Sequence, residues 1–348
     1  MHRLVLALSL VGALSATACT SPGPGATGPS AGTSGPGASG PIDPTTLTVG
    51  LGYIPSVQFA QFYLAEAEGY YRDAGLDVTF QNRIDPELIT LLGQGVIDIG
   101  MGDGTSVIPA VSQDIPVRYV ATIYARFPSV VFAKQSAGIA EAADLEGRSL
   151  GIPGRFGSSW IMLQALLASA DLTPEDLDIE LYPDFGQAVA VQQDQVDSAT
   201  GFANNEPVQL ELSGEAVSIL RVDDITPLPG PGLVVGTATL EDKAEAIRAF
   251  VAATLRAMDE IIADPERGLD AAIERVPELG EQREAQAAIL EATIETWTSE
   301  YTDANGLGAI DLEAWAASVE FMRALPDTVV ARPVTVDELV TEEMLDGP

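Results

Sequence analysis

Apolar and polar positions follow one another along the chain in the order of strands and helices. Apolar residues occupy every second position from Leu47 to Leu51, which predicts a short strand, and Pro55 interrupts this pattern. From Phe59 the apolar residues recur at helical spacing, and a second β-prone run ends at Val78. The pattern predicts a strand, a loop, a helix and a strand, and the loop over residues 53–58 lies where open α/β sheets hold their ligands.

The alternation continues beyond this first unit. Further strands are predicted at residues 96–101, 117–124, 129–134, 149–152, 179–182, 198–202, 217–220 and 233–235. The rest of the chain is helical, and it holds Trp297 and Trp315 as predicted core residues. Turns at residues 125–128 and 227–232 predict two crossings between separate sheets. The sequence therefore predicts an α/β protein with mainly parallel sheets, in which two lobes close on a ligand.

The N-terminal residues predict a secretory signal. Arg3 precedes an apolar run over residues 4–14, which is too short to span a bilayer as a helix. Small residues follow as far as Cys19, so the predicted signal peptide covers residues 1–18. The segment Ala-Thr-Ala-Cys that ends at Cys19 resembles a bacterial lipobox, which implies lipidation of this cysteine. The motif usually has leucine in place of Ala16.

A linker is predicted after this signal. Residues 20–41 consist of Thr, Ser, Pro, Gly and Ala alone, so they carry no charge and cannot build a core. With the cysteine they form a predicted lipid-anchored, disordered linker over residues 19–41, which places the folded part outside the cytoplasm at the cell membrane. The alternative is a plain signal peptide cleaved near Ala18, with an incidental cysteine.

The composition excludes several classes of chemistry. Cys19 is the sole cysteine and His2 the sole histidine, so the predicted folded part contains neither residue type. Disulfides, Cys/His zinc sites and catalysis by a Ser-His-Asp triad or a Cys-His pair are therefore excluded. Carboxylate chemistry and oxygen-ligated metals stay open, although we predict no catalytic residue, no metal site and no cofactor.

The charge balance bears on the partners. The chain has 51 acidic and 17 basic residues, which gives a net charge of −34. A field of this sign argues against nucleic acid as a partner, and it disfavours anionic ligands unless basic residues gather locally. Solubility or adaptation of the surface to salt is the simpler cause of the acidity.

Several motifs carry a resemblance to a known family. They are Gly52–Phe59, Glu68–Tyr71, Gly75–Val78, Asp144–Gly147 before a Gly-Ile-Pro strand end, and Asn204–Pro207. Together they resemble the substrate-binding proteins of ABC importers, in the branch shared by alkanesulfonate-binding and thiamine-pyrimidine-binding proteins. The likeness covers nearly the whole chain after the linker, and the order of the motifs is specific although each motif alone is weak. With Pro153–Gly157, the first motif looks most like members assigned to riboflavin uptake.

The resemblance implies the type II periplasmic-binding-protein fold with extra C-terminal helices. Residues 42–128 and 236–348 are then expected in lobe 1 and residues 129–235 in lobe 2, with a two-segment hinge between them. The family also contains a synthase branch that consumes its own histidine and carries a cysteine-rich motif. Because the folded part lacks both residue types, that branch is excluded.

The function implied by the resemblance is capture of a small molecule for import. We expect a lipoprotein that binds a neutral aromatic vitamin or precursor, with riboflavin favoured, and delivers it to an ABC permease and its ATPase. The first alternative is a thiamine pyrimidine precursor, either hydroxymethylpyrimidine or formylaminopyrimidine. An alkanesulfonate or other anion is a weaker alternative, and an enzyme that uses carboxylates on the same fold is the alternative of a different class.

The candidate binding residues lie in the predicted turns. A planar heterocycle needs an aromatic face to stack on and a few oriented polar groups. The predicted aromatic walls are Tyr53, Phe127 and Phe156, and the predicted polar contacts are Gln58, Asp103, Ser158, Asn205 and Glu206. Each aromatic residue has the alternative of packing between the lobes.

Two further alternatives concern the polar residues of these turns. Asp103 and Ser158 are residue types that also serve as helix N-caps, without any contact to a ligand. Arg126 and Arg155 keep an anionic ligand open, because arginine side chains can clamp a sulfonate or a phosphate.

Overall fold

The computed structural model describes residues 43–82, 87–325 and 330–345. The predicted signal peptide, the lipidation of Cys19 and the predicted linker, which together cover residues 1–41, lie outside the described residues. None of the helices in the described ranges is both long and apolar enough to cross a membrane.

Two five-stranded sheets form the framework. The strands of the described residues are β1 (Thr45–Gly50), β2 (Leu76–Gln81), β3 (Ile99–Gly102), β4 (Val117–Thr122), β5 (Ser129–Lys134), β6 (Ser149–Ile152), β7 (Asp178–Leu181), β8 (Ser198–Phe202), β9 (Val217–Arg221) and β10 (Gly232–Gly236). The first sheet has the strand order β2-β1-β3-β10-β4, and the second has the order β7-β6-β8-β5-β9. Each sheet with its helices forms one half of the fold.

Each sheet contains one antiparallel strand. In the first sheet β10 runs antiparallel to β3 and β4, and in the second sheet β5 runs antiparallel to β8 and β9. The remaining pairs that β1 and β6 make are parallel. Both antiparallel strands follow a crossing of the chain from one sheet to the other. The sheets are therefore mixed rather than mainly parallel, and the predicted α/β fold is confirmed.

The second crossing ends earlier than the sequence predicts. Residues 232–235 were expected in lobe 2, over residues 129–235, but they belong to β10 and pair within the first sheet. The Pro- and Gly-rich run completes the return before this point, since the Pro231 carbonyl already accepts a hydrogen bond from the Tyr124 amide at 2.8 Å. The other limits of the two lobes stay a prediction.

Helices cover both sheets and continue at the C-terminal end. The α-helices of the described residues are α1 (Ala60–Ala67), α2 (Tyr70–Asp73), α3 (Leu88–Gly93), α4 (Gly104–Ser112), α5 (Gly157–Ser169), α6 (Gln187–Gln192), α7 (Glu206–Leu212), α8 (Thr237–Ala263), α9 (Pro265–Arg275), α10 (Arg283–Trp297), α11 (Glu300–Asn305), α12 (Leu312–Ala324) and α13 (Val336–Leu339). Asp264 ends α8, and Pro265 takes the first position of α9, where its missing N–H costs no hydrogen bond.

Each half has its own apolar core. In the first half the rings of Phe62 and Tyr71 both stack on Phe250 of α8, with centroids 6.1 and 4.8 Å apart. The predicted core residues Trp297 and Trp315 are each 1% exposed. The turns at the carboxyl ends of the parallel strands stay outside these cores, and they face one another across a cleft.

Candidate functional site

A cavity of about 520 Å³ lies in the cleft between the two halves. Its walls come from the turns that follow β1, β3, β6, β7 and β8, which is the edge where open α/β sheets bind ligands. Seven of the eight residues predicted from the sequence line this cavity: Tyr53, Gln58, Asp103, Phe156, Ser158, Asn205 and Glu206. The cavity volume lies within the ~300–1,000 Å³ typical of small-molecule sites.

Tyr53 and Phe185 form an aromatic contact across the cleft. Their ring centroids lie 5.8 Å apart with planes at 78°, an edge-to-face arrangement. Phe185 has a left-handed backbone conformation with φ of 60°, which turns the chain sharply between β7 and α6. Burial, with a smaller contribution from the charge of Glu206, raises the pKa of Tyr53 to about 12. The phenol therefore stays neutral and can still donate a hydrogen bond.

Phe156 supplies a second aromatic surface, at the rim of the cavity. Its side chain is 63% exposed and lies beside Gly154, where any side chain would collide with the ring. Phe156 also occupies the N-cap position of α5. An exposed phenyl ring beside an apolar cavity leaves water-accessible apolar area that a flat ligand can cover.

Phe127 does not reach the cleft. It is 1% exposed and packs in the core of the second half with Val131 and Leu150. Pro128 separates this residue from the start of β5 at Ser129. Phe127 lines instead a separate cavity of about 600 Å³ between the two crossings and the C-terminal helices. The sequence prediction of Phe127 as a wall of the binding site is not supported by this position.

Asp103 caps a helix as well as lining the cavity. Its Oδ1 accepts hydrogen bonds from the Ser106 amide at 3.0 Å and from the Thr105 hydroxyl at 2.7 Å, in a capping box at the start of α4. Burial raises the pKa of Asp103 above its ordinary value despite these hydrogen bonds. The alternative of an N-cap is correct for Asp103.

Glu206 places a second buried carboxyl on the opposite side of the cavity. Its Oε2 accepts a hydrogen bond from the Phe202 amide at 2.8 Å, and its Oε1 accepts a long one from the Asn205 side chain at 3.4 Å. The residue is 8% exposed, and burial raises the pKa of its carboxyl. A protonated Glu206 could donate a hydrogen bond to a ligand, whereas the ionised form accepts one.

Gln58 is held in place by Asn204 from the other half. The Asn204 amide nitrogen donates to Gln58 Oε1 at 3.0 Å and to the Thr293 hydroxyl of α10 at 2.9 Å. Gln58 Nε2 in turn donates to the Ser56 hydroxyl at 3.2 Å. Since Asn204 is fully buried, this network joins the two halves beside the cavity and orients Gln58.

Ser158 and Asn205 both lie half-buried near helix starts. Ser158 is the second residue of α5, behind the N-cap position at Phe156, so the alternative of an N-cap is wrong for Ser158. Asn205 occupies the N-cap position of α7 without a capping hydrogen bond, and its Oδ1 accepts from Gln209 at 2.7 Å. Both side chains line the cavity and have no partner in the other half among the described residues.

Several lining residues were not selected from the sequence. Those with large side chains include Phe59, Met101, Tyr124, Phe185, Gln187 and Phe202. Phe185 stands in a turn with Asp184 and Gly186, so its position beside a strand end was a usable signal. Gln187 gave no such signal, because a glutamine at the start of a short helix reads as a surface residue.

The cavity combines aromatic rings with hydrogen-bond acceptors. Among the described residues that line it, none is lysine, arginine or histidine. No group of three or more acidic, histidine or cysteine side chains in the described ranges is arranged to hold a metal ion. The arrangement suits a neutral, flat molecule that carries N–H or O–H groups.

Comparison with known proteins agrees with this geometry. The family model described as NMT1/THI5 like matches residues 56–268. The chain belongs to this family. Along its full length this NMT1/THI5-like chain is 35% identical to the riboflavin-binding protein RibY of Chloroflexus aurantiacus, with 100% of this chain and 99% of that protein covered.

More distant relatives of the NMT1/THI5-like chain are enzymes. The 4-amino-5-hydroxymethyl-2-methylpyrimidine phosphate synthase THI11 of Saccharomyces cerevisiae is 26% identical over 67% of this chain and 72% of the enzyme.

Among solved structures, the alkanesulfonate-binding protein SsuA of Xanthomonas axonopodis pv. citri bound to MOPS matches with a TM-score of 0.67 and 15% identity, over 86% of this chain and 99% of that one. This match shows the type II periplasmic-binding-protein fold.

Proposed function

We propose that this NMT1/THI5-like protein is an extracytoplasmic solute-binding protein of an ABC importer, and that it captures riboflavin and delivers it to a permease. The chemistry of the cleft cavity carries the proposal, because aromatic rings and buried acceptors line about 520 Å³ without a basic side chain among the described lining residues. The full-length likeness to a riboflavin-binding protein supports the same ligand.

The aromatic residues would hold the ring system of the ligand. Tyr53 and Phe185 already meet edge to face, and Phe156 lies exposed at the rim. A stacked aromatic pair stabilises a complex by about 0.5–1.5 kcal/mol beyond the burial of area. Three rings around one flat ligand therefore give affinity without any charge on the ligand.

The charges near the cleft argue for a neutral ligand. The buried carboxyls of Asp103 and Glu206 line the cavity from opposite halves, where a sulfonate or phosphate would meet them without water between. Arg126 pairs with Asp223 at 3.4 Å, and the Arg155 guanidinium lies over the Trp160 ring at 5.3 Å. Neither arginine lines the cavity, so an alkanesulfonate is disfavoured.

A thiamine pyrimidine precursor is the second candidate. The synthase relatives are named for an aminopyrimidine product, and a buried carboxylate such as Glu206 is a suitable acceptor for an exocyclic amino group. A single pyrimidine ring covers less aromatic surface than a three-ring flavin. For that reason riboflavin remains the favoured ligand.

Anchoring and partners belong to the same proposal. Lipidation of Cys19 would hold the protein at the outer face of the cell membrane, with residues 19–41 as the linker to the folded part. An ABC permease and its ATPase are the proposed partners. Mass spectrometry of the membrane-bound protein should find Cys19 as the N-terminal residue with a lipid on its thiol, and an N-terminus without lipid would exclude lipid anchoring.

Calorimetric titration of the purified protein tests the ligand. We expect riboflavin to bind with one site per chain, and hydroxymethylpyrimidine and an alkanesulfonate to bind more weakly or not at all. Tighter binding of hydroxymethylpyrimidine would support the second candidate. Binding of the sulfonate alone would refute the ligand assignment without contradicting the fold. Riboflavin recovered chemically unchanged after long incubation is expected of a binding protein, and its conversion would support the carboxylate-dependent enzyme.

A further inference from the structure

Gln187 is a buried residue of the cavity wall that none of the predicted contacts includes. It is the first residue of α6, it follows the turn that carries Phe185, and it is 1% exposed. Gly201 and Phe202 at the end of β8 line the same cavity. The residue therefore has little access to bulk water and borders the space where a ligand lies.

One end of the Gln187 amide is paired and the other is not. Its Nε2 donates to the Thr200 carbonyl of β8 at 3.1 Å. Its Oε1 accepts no hydrogen bond from any described residue. The opposite orientation of the amide would set Oε1 against the Thr200 carbonyl, which is also an acceptor, so the contact with Thr200 fixes which atom stays free.

A buried acceptor without a donor lowers the stability of a protein by about 1–3 kcal/mol, so most such atoms accept a hydrogen bond from the protein, from water or from a ligand. Gln61 shows that an unpaired amide alone does not mark a ligand site. Both of its side-chain polar atoms are unpaired and it is 0% exposed, but it lies inside α1 and does not line the cavity. Gln187 differs because it is one of the residues that line a cavity large enough for a small molecule.

We propose that Gln187 is a further ligand-binding residue, whose side-chain oxygen accepts a hydrogen bond from an N–H or O–H group of the bound molecule. The inference rests on the proposed function and deepens it. Gln187 adds a further acceptor to the carboxyls of Asp103 and Glu206, which line the same cavity. The ligand class is therefore a neutral aromatic molecule that presents several hydrogen-bond donors.

Riboflavin has donors of two kinds, an imide N–H on its ring system and the hydroxyls of its ribityl chain. Two analogues separate them. Riboflavin methylated at the imide nitrogen lacks the ring donor, and lumiflavin, in which a methyl group replaces the ribityl chain, lacks the hydroxyls. The donor that meets Gln187 is absent from one of these analogues and present in the other.

The test compares Gln187→Met with wild type and with Gln61→Met, using riboflavin and both analogues in fluorescence titrations. We expect Gln187→Met to bind riboflavin about tenfold more weakly, because a ligand donor is left buried and unpaired. With the analogue that lacks this donor, Gln187→Met and wild type should bind equally. Gln61→Met should match wild type for every ligand.

Three results would overturn the inference. If wild type binds riboflavin and Gln187→Met binds it with the same affinity, the role of Gln187 is refuted and the proposed function still stands. An equal loss for riboflavin and for both analogues would show that Gln187 only shapes the wall. A wild type that binds none of the three flavins would refute the proposed function and, with it, the inference. Melting curves establish that each variant is folded. If Gln187→Met does not fold, Gln187→Leu takes its place in the titrations.

Discussion

Replacing Asn204 with alanine should destabilise the protein far more than the same change at Asn205. Asn204 is fully buried, and its amide nitrogen donates to Gln58 at 3.0 Å and to Thr293 at 2.9 Å, both in the other half. The partners that Asn205 contacts, Gln209 and Glu206, lie within its own helix. The two neighbouring asparagines are therefore a matched pair.

The expected size follows from the contacts that are lost. Without Asn204, Oε1 of Gln58 is buried with no donor, which costs about 1–3 kcal/mol, and one hydrogen bond to Thr293 disappears at about 1 kcal/mol. The Thr293 hydroxyl keeps its own hydrogen bond to the Ile289 carbonyl at 2.7 Å. The variant also removes Asn204 Oδ1, which is buried without a hydrogen-bond partner among the described residues and offsets part of this loss. We therefore expect Asn204→Ala to lower the free energy of unfolding by about 1–2 kcal/mol, and Asn205→Ala by less than about 0.5 kcal/mol.

Urea unfolding measures this difference. Tryptophan fluorescence and circular dichroism should give coincident curves, which establishes that the two halves unfold together and that one free energy describes them. A loss below about 0.5 kcal/mol in Asn204→Ala, or equal losses in both variants, would refute the account of Asn204 as the link between the halves.

Three further predictions concern the aromatic residues and the buried acid. Tyr53→Ala should weaken riboflavin binding about tenfold in a titration while the unfolding free energy falls by less than about 1 kcal/mol, and the reverse pattern would make Tyr53 a core residue. Phe127→Ala should lower the unfolding free energy by about 3–5 kcal/mol and leave the riboflavin affinity of the folded protein unchanged. A loss of affinity without a loss of stability would instead show that Phe127 contacts the ligand. Burial raises the pKa of Glu206 above its ordinary 4.5, so the folded state holds the proton more tightly and stability falls as the pH rises above that value. Glu206→Gln mimics the protonated form and should lose less stability than wild type between that pH and neutrality, whereas equal losses in pH-dependent melts would contradict the assignment.

The fold was predictable because its signals are local. Alternation at two residues marks strands such as β1, helical spacing marks α8, and Asp264 with Pro265 marks the boundary to α9. The order of strand and helix then places the turns at the carboxyl ends of the strands. For this reason seven of the eight predicted contacts line one cavity, although their separation in the sequence is large.

The errors have a physical cause that lies outside the local pattern. Phe127 and Phe185 both stand in turns, but the packing of the whole second half decides that Phe127 is buried and Phe185 meets Tyr53. Asn204 and Asn205 are adjacent and chemically identical, and only the position of α10 makes one of them a link between the halves. Such choices depend on long-range contacts, which no short window of sequence contains.

A fluorescence titration of riboflavin with the purified protein tests the central claim most directly. Stacking of the flavin ring on the aromatic residues of the cleft should quench its fluorescence, and the account predicts saturation at one flavin per chain. It also predicts that Phe156→Ala reduces both the quenching and the affinity, because this exposed ring lies at the rim of the cavity. Fluorescence that stays unquenched at concentrations where an alkanesulfonate raises the melting temperature would contradict the account.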